Sequence, residues 1–255
     1  MVNRSSHAPQ EPTGAGVAPS GVGALVLHGF TSTTASMQPV ADAVTAAGFD
    51  VELPLLPGHG TRWEDLAATR AEEILQAVAA AHRRLAARCG TVIPVGLSMG
   101  GALALWSAAE HGSPAAAVIN PGLRLAPGTV LTARLLGRFT PTWKPLAGDI
   151  AAPGVTEEAY PVTPLRAVVE LDRLFAAARS RMPQLAAAGT EVLLMRSAVD
   201  KVVGSRSAAL LKRALPGQVT EVVLRRSRHV ATLDYDAPLV AEQTVELLRR
   251  HSHRL

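Results

Sequence analysis

Cysteine is nearly absent from this chain. Cys89 stands alone, so no disulfide can form within it. Placed before Gly90, near the end of an expected helix, Cys89 reads as a packing residue. Lysine is scarce as well: Lys144, Lys201 and Lys212 are the only ones. The arginines that supply the remaining cationic charge scatter along expected helices. A formal net charge of +4 distributed in this way reads as solvated helix surface, and no nucleic-acid partner is expected. No apolar stretch approaches the roughly 20 residues of a membrane span. Residues 1–20 are rich in Pro, Gly, Ser and Ala and contain no apolar h-region of a signal peptide. The expectation is a cytoplasmic monomer or homodimer with a disordered tail over residues 1–20. No internal repeat is present.

What the chain does have is bulk and rhythm. Its 255 residues, 48% of them hydrophobic, suffice for one large α/β domain. Strands are expected at Ala24–Leu27, Asp50–Leu56, Thr91–Val95, Ala115–Ile119, Glu191–Arg196 and Val219–Leu224. Helices are expected between them. One covers Ser36–Ala47, with Ser36 as N-cap and Gly48 as stop. Another covers about Glu64–Arg88, with Leu66, Ile74, Val78, Ala81 and Leu85 as its apolar stripe. Ser205–Leu215 and Ala237–Arg250 complete the set. Alternation of this kind predicts a mostly parallel central sheet with helices on both faces. The rhythm fails over residues 123–188, where prolines cluster around two expected helices, Thr129–Arg138 and Pro164–Arg179. That segment reads as an insertion lying over the sheet. The division is therefore a tail (1–20), a core (21–122 and 189–250), the insertion (123–188) and a C-terminal tail (251–255).

The segment Gly96-Leu97-Ser98-Met99-Gly100 follows one apolar run and precedes another. Strand, sharp turn and helix with a serine at the apex fit a nucleophile elbow. Glycines two residues before and two after the serine suit a turn in which the backbone approaches itself and its neighbours. Gly101 extends the small patch. The competing phosphate-loop reading requires a lysine after the second glycine, and none lies nearby.

A serine hydroxyl needs a base, and the base needs a third group to orient it. On a fold with such an elbow the chain order is Ser, acid, His. After Ser98 the histidines are His111, His229, His251 and His253. His111 lies about three turns along the elbow helix. His251 and His253 fall in the basic C-terminal tail, expected to be disordered, and their H-x-H spacing lacks a third metal ligand. His229 follows the last strand and is the base by elimination and position. Asp200 follows the preceding strand and is preferred as the acid. Asp234 is its best competitor, more easily read as capping the closing helix. An oxyanion hole requires two N–H donors. These are assigned to Met99, next to the nucleophile, and to Phe30, in the loop His28-Gly29-Phe30 after the first strand. Gly29 is expected to keep the acyl site clear. His28, like His59, is expected to shape its loop.

These residues resemble a known group. Leu27-His28-Gly29-Phe30-Thr31, Pro57-Gly58-His59-Gly60, the elbow, Asp200-Lys201-Val202-Val203 and Ser227-Arg228-His229-Val230-Ala231-Thr232-Leu233-Asp234 look like the bacterial carboxylesterase and monoacylglycerol lipase group of the α/β-hydrolases. The resemblance spans about residues 22–250 and is loosest over 123–188, which is similar to that group's helical cap. It implies an α/β-hydrolase fold with a triad of Ser98, Asp200 and His229 and an oxyanion hole from the amides of Phe30 and Met99. It implies a cap that supplies an acyl tunnel. The substrate would be a monoacylglycerol or a short- to medium-chain carboxylic ester, and no metal or organic cofactor is needed. A thioesterase or acyltransferase built on the same acyl-serine, and a non-catalytic binding protein on the same fold, are the alternatives. Activity is expected to rise with pH as an imidazole of ordinary pKa, about 6.5, loses its proton.

Overall fold

The computed structural model describes residues 21–252, so the expected tail over 1–20 lies outside the described residues. Six strands form one sheet: β1 (Val22–Leu27), β2 (Asp50–Glu52), β3 (Thr91–Leu97), β4 (Ala115–Ile119), β7 (Glu191–Ser197) and β8 (Val219–Leu224). Their order is β2-β1-β3-β4-β7-β8, and every neighbouring pair is parallel. The chain steps outward from β1 to β2, then returns to lay β3 on the other side of β1. Ligands of open parallel sheets bind beyond the strand ends at such a reversal. Leu27 pairs with Gly96 across β1 and β3, which sets the loop after β1 beside the elbow.

Burial on both faces explains the apolar strands. Along β1, Leu25 and Leu27 join the core layer beneath α3 (Ala71–Ala86) and α4 (Met99–His111). Ala24 and Val26 join the opposite layer, with residues of α1 (Gln38–Ala46) and α9 (Ala237–Ser252). Side chains of a strand alternate between faces, so one short strand feeds both cores.

Several boundaries differ from expectation. The helix expected over Glu64–Arg88 is two helices, α2 (Trp63–Ala68) and α3. Thr69 is extended between them, and the Ala71 N–H donates to Glu170, 99 residues away. That cap comes from another part of the chain and adds to a local one, in which Glu73 accepts the Arg70 N–H at 3.0 Å. Ser36 does not cap α1. It ends a short 3-10 turn over Thr34–Ser36 and donates its hydroxyl to the carbonyl of Thr33, and α1 starts after Met37 with Pro39 in its first turn. The strand after Asp50 stops at Glu52, just before a segment whose Pro54 has no N–H to give a ladder.

Between β4 and β7 lie α5 (Thr129–Leu136), the two-residue strands β5 (Thr142–Trp143) and β6 (Thr163–Pro164), α6 (Leu165–Ser180) and α7 (Met182–Ala188). Two packing regimes divide this stretch. Ala133 of α5 and Leu165 and Val168 of α6 form a small separate cluster with Phe30 and Leu125 against it. Leu171, Leu174, Phe175 and Ala178 of α6 and Leu185 of α7 belong to the main core. The latter half of the segment thus packs into the main core on its way from β4 to β7, while α5 joins the small separate cluster.

The C-terminal expectation is corrected. α9 runs through Ser252, and His251 is 5% exposed and bonded to Glu191 at 3.0 Å. His253 lies outside the described residues. After β7, α8 (Ser205–Ala214) packs Ala208, Leu211 and the adjoining Leu215 into the main core.

Candidate active site

The elbow is held by its glycines. Ser98 sits at φ 55°, ψ −114°, a conformation that costs an L-residue energy and persists only when its surroundings enforce it. The Ser98 N–H donates to Ile119 O at 2.9 Å, while Ser98 O accepts from Gly101 and Gly122, each at 3.0 Å. A Cβ at Gly96 would collide with the carbonyl of Gly100, and one at Gly100 with the carbonyl of Leu27. A Cβ at Gly101 would lie 3.0 Å from Pro121 Cβ. Backbone closes on backbone at the first two positions, so only glycine fits there.

Asp200 and His229 meet across two loops. His229 Nδ1 lies 2.9 Å from Asp200 Oδ2, and both side chains are buried, at 7% and 3% exposure. The other carboxylate oxygen accepts from the N–H groups of Val202 (2.7 Å) and Val203 (3.0 Å). Burial works against the charge of Asp200. The hydrogen bond from His229, the charge of the imidazole and the N–H groups of Val203 and Val202 outweigh it and hold the carboxyl below its ordinary pKa. In a neutral ring, an ionised Asp200 makes Nδ1 the donor and leaves Nε2 as the acceptor.

Ser98, Asp200 and His229 line one cavity of about 560 Å³, a size suited to a small organic ligand. Its remaining wall is largely apolar, from Leu97, Leu125, Leu146, Leu171, Phe175 and Val203. Gly29 and Phe30 line it too. A Cβ at Gly29 would sit 3.7 Å from Ser98 Cβ, in ordinary contact. The folded chain would accommodate it, and the methyl would occupy the space beside Ser98. Met99 contributes no side chain to the cavity and is fully buried. Its N–H is at the first turn of α4, where N–H groups lack helical partners and the helix dipole is positive.

His28 is fully buried, accepts from the Leu56 N–H at 3.1 Å through Nε2 and reaches Gly29 O at 2.9 Å through Nδ1. His59 packs edge-on against it at 4.9 Å between ring centroids. Burial, then the neighbouring His59, lowers the pKa of His28 from 6.5 to about 3, against a bond to Gly29 that raises it. Burial lowers His59 to about 4. Both rings are neutral at pH 7 and sit under the loop that carries Phe30.

Asp234 is not the helix cap expected of it. Its carboxylate accepts from the N–H groups of Ala151, Ala152, Arg228 and Tyr235, at 2.7 to 3.0 Å. It does not touch His229. Three residues near the pair escaped sequence reasoning. Asn120 and Ser197 bind the main chain of the His229 loop, and Asp149 accepts from Lys201 N at 3.2 Å and His229 N at 3.4 Å. Asn120 falls in an Asn-Pro-Gly sequence that reads only as a turn, and Asp149 lies 80 residues from His229.

Comparison with known proteins follows the same lines. A family model described as the alpha/beta hydrolase family matches residues 24–243. The chain is 35% identical over 233 residues to the thermostable monoacylglycerol lipase of Bacillus sp. (strain H-257), covering 91% of this chain and 92% of that one. It superposes with a TM-score of 0.86 and 33% identity on a structure from work on LipS and LipT, two metagenome-derived lipolytic enzymes, covering 91% of this chain and 95% of that one. It shares the fold of the Paleococcus ferrophilus monoacylglycerol lipase, with a TM-score of 0.71 at 18% identity and coverage of 92% and 98%.

Proposed function

The chain belongs to the alpha/beta hydrolase family and is a carboxylic ester hydrolase, and we propose that Ser98, Asp200 and His229 carry the reaction and that monoacylglycerols are its substrates. The observation that carries this reading is the buried Asp200–His229 contact of 2.9 Å opening on the same cavity as the strained Ser98. The relatives' lipolytic names and the apolar cavity wall support an acyl chain as the group bound there.

The steps follow from the groups present. His229 Nε2 takes the proton from Ser98 as its oxygen attacks the ester carbonyl. The N–H groups of Phe30 and Met99 stabilise the negative charge that builds on the carbonyl oxygen. His229 then hands its proton to the departing alcohol. Water, deprotonated by the same imidazole, attacks the acyl-enzyme, and the carboxylic acid leaves with Ser98 restored. Asp200 keeps the imidazole in register and stabilises its charged form. Within residues 123–188, the part around α5 and the start of α6 serves as the cap and covers the acyl chain. We extend the proposal to a cytoplasmic monomer or homodimer, checked by fractionation and light scattering.

The test is a panel of monoacylglycerols and p-nitrophenyl esters of graded chain length, run on the wild type and on Ser98→Ala. Turnover of the monoacylglycerols and a loss of several orders of magnitude in kcat for the variant, with its fold unchanged, are expected. Near-wild-type turnover by Ser98→Ala would sink the assignment.

A further inference from the structure

Asn120 stands at the end of β4, outside the cavity and 2% exposed. Its φ is 43°, a left-handed conformation that asparagine tolerates better than most residues. The Asn120 N–H extends the β4–β7 ladder by donating to Met195 O at 2.9 Å. Its side chain turns to the two loops that carry Asp200 and His229. Oδ1 accepts from the Ser197 N–H at 2.7 Å. Nδ2 donates to Ser197 Oγ at 2.9 Å, to His229 O at 2.8 Å and, more weakly, to Arg228 O at 3.3 Å. Ser197 Oγ passes its own proton to Arg228 O at 2.7 Å, so it receives the Asn120 bond as an acceptor.

Ser197 ends β7, three residues before Asp200. One buried amide therefore bonds the start of the acid's loop and the main chain of the base itself. Asp200 and His229 sit in loops that follow different strands, β7 and β8, and no bond between near neighbours in sequence fixes the distance between them. We propose that Asn120 is a positioning residue that holds the Asp200–His229 contact by clamping both loops to the end of β4. It touches neither substrate nor the reacting atoms. A buried amide with each of its polar atoms engaged is a stiff spacer, since releasing any bond leaves a carbonyl or N–H unpaired.

This rests on the proposed triad, and the experiment separates the two. Steady-state kinetics on a p-nitrophenyl ester are measured for Ser98→Ala, Asn120→Ala, Asp200→Ala and the Asn120/Asp200 double variant, with the folded fraction of each determined by calorimetry. Asn120→Ala is expected to lower kcat roughly 10- to 100-fold with KM changed less than about threefold. In the Asp200→Ala background the same change should cost less than about threefold more, because the contact it supports is already gone. Multiplying losses, or unchanged kcat per folded molecule, would overturn the positioning role while an inactive Ser98→Ala left the triad standing. An active Ser98→Ala would overturn both. If Asn120→Ala does not fold, Asn120→Gly, which keeps the left-handed backbone, and Ser197→Ala, which removes one arm of the clamp, enter the same cycle with the same expectations.

Discussion

The carboxylate of Asp234 holds the N–H of Ala151 at 2.7 Å, tying the loop that carries His229 to the stretch between β5 and β6. Asp149 answers from that segment, accepting the His229 N–H at 3.4 Å and, through its own carbonyl, the Val230 N–H at 3.2 Å. The two stretches hold each other, so the loop that carries His229 is built partly by residues 149–152.

Asp200 and Asp234 competed for the acid's role, and their variants should differ in kind. Asp200→Asn should keep the fold and lose several orders of magnitude in kcat, because the imidazole loses the partner that fixes its tautomer. Asp234→Asn presents an amide to buried N–H groups and should cost about 1–3 kcal/mol of stability, with a smaller loss of kcat. Urea unfolding and steady-state kinetics on both variants decide it. The reverse pattern would exchange the roles.

Glycines near the nucleophile should separate into two classes. Gly96→Ala and Gly100→Ala drive a methyl into main-chain carbonyls and should yield little folded protein, since overpacking against backbone costs about 1–3 kcal/mol or more. Gly29→Ala has room in the fold, at 3.7 Å from Ser98 Cβ. It should fold with a Tm near that of the wild type and lose kcat/KM. Expression, thermal melts and ester kinetics of the three variants check this.

Buried histidines should make the protein acid-sensitive. His28 and His59 fall from 6.5 to about 3 and about 4, chiefly through burial. Burial, followed by its neighbours His111 and Arg83, takes His82 to about 4. Below pH 6.5 the unfolded chain binds protons on these rings that the folded chain refuses. Stability should therefore fall as pH drops from 6.5 towards 4, at a slope of up to about three protons. His59→Asn should lower that slope by about one proton. Chemical denaturation at a series of pH values measures it, and a flat profile would contradict these assignments.

Cys89 is 2% exposed. Burial, and then the hydrogen bond and charge of Asp50, push its thiol up to about 12. It should be inert to thiol reagents at pH 8 while the protein is folded, and react stoichiometrically in denaturant. Labelling of the native enzyme at the denatured rate would show the site to be open.

Local chemistry made much of this protein legible in its sequence. Apolar runs alternating with amphipathic ones specify parallel strands and their crossovers, because each strand must bury both faces and each helix one. The elbow was legible for the same reason: at Gly96 and Gly100 backbone meets backbone, and no other residue fits. The proposed order Ser98, Asp200, His229 rests on which residues follow strand ends. Tertiary structure alone decided the rest. The helix that starts after the break at Thr69 takes a cap from the carboxylate of Glu170. The fate of His251 is set by Glu191. The separation of Asp200 from His229 is held by Asn120 and Ser197, and the shape of the histidine's loop by Asp149 and Asp234. Each of these is a polar bond between segments distant along the chain, and such bonds leave no periodic trace. Periodicity records which face of an element is buried, but a single hydrogen bond depends on two groups that only the folded chain brings within about 3 Å.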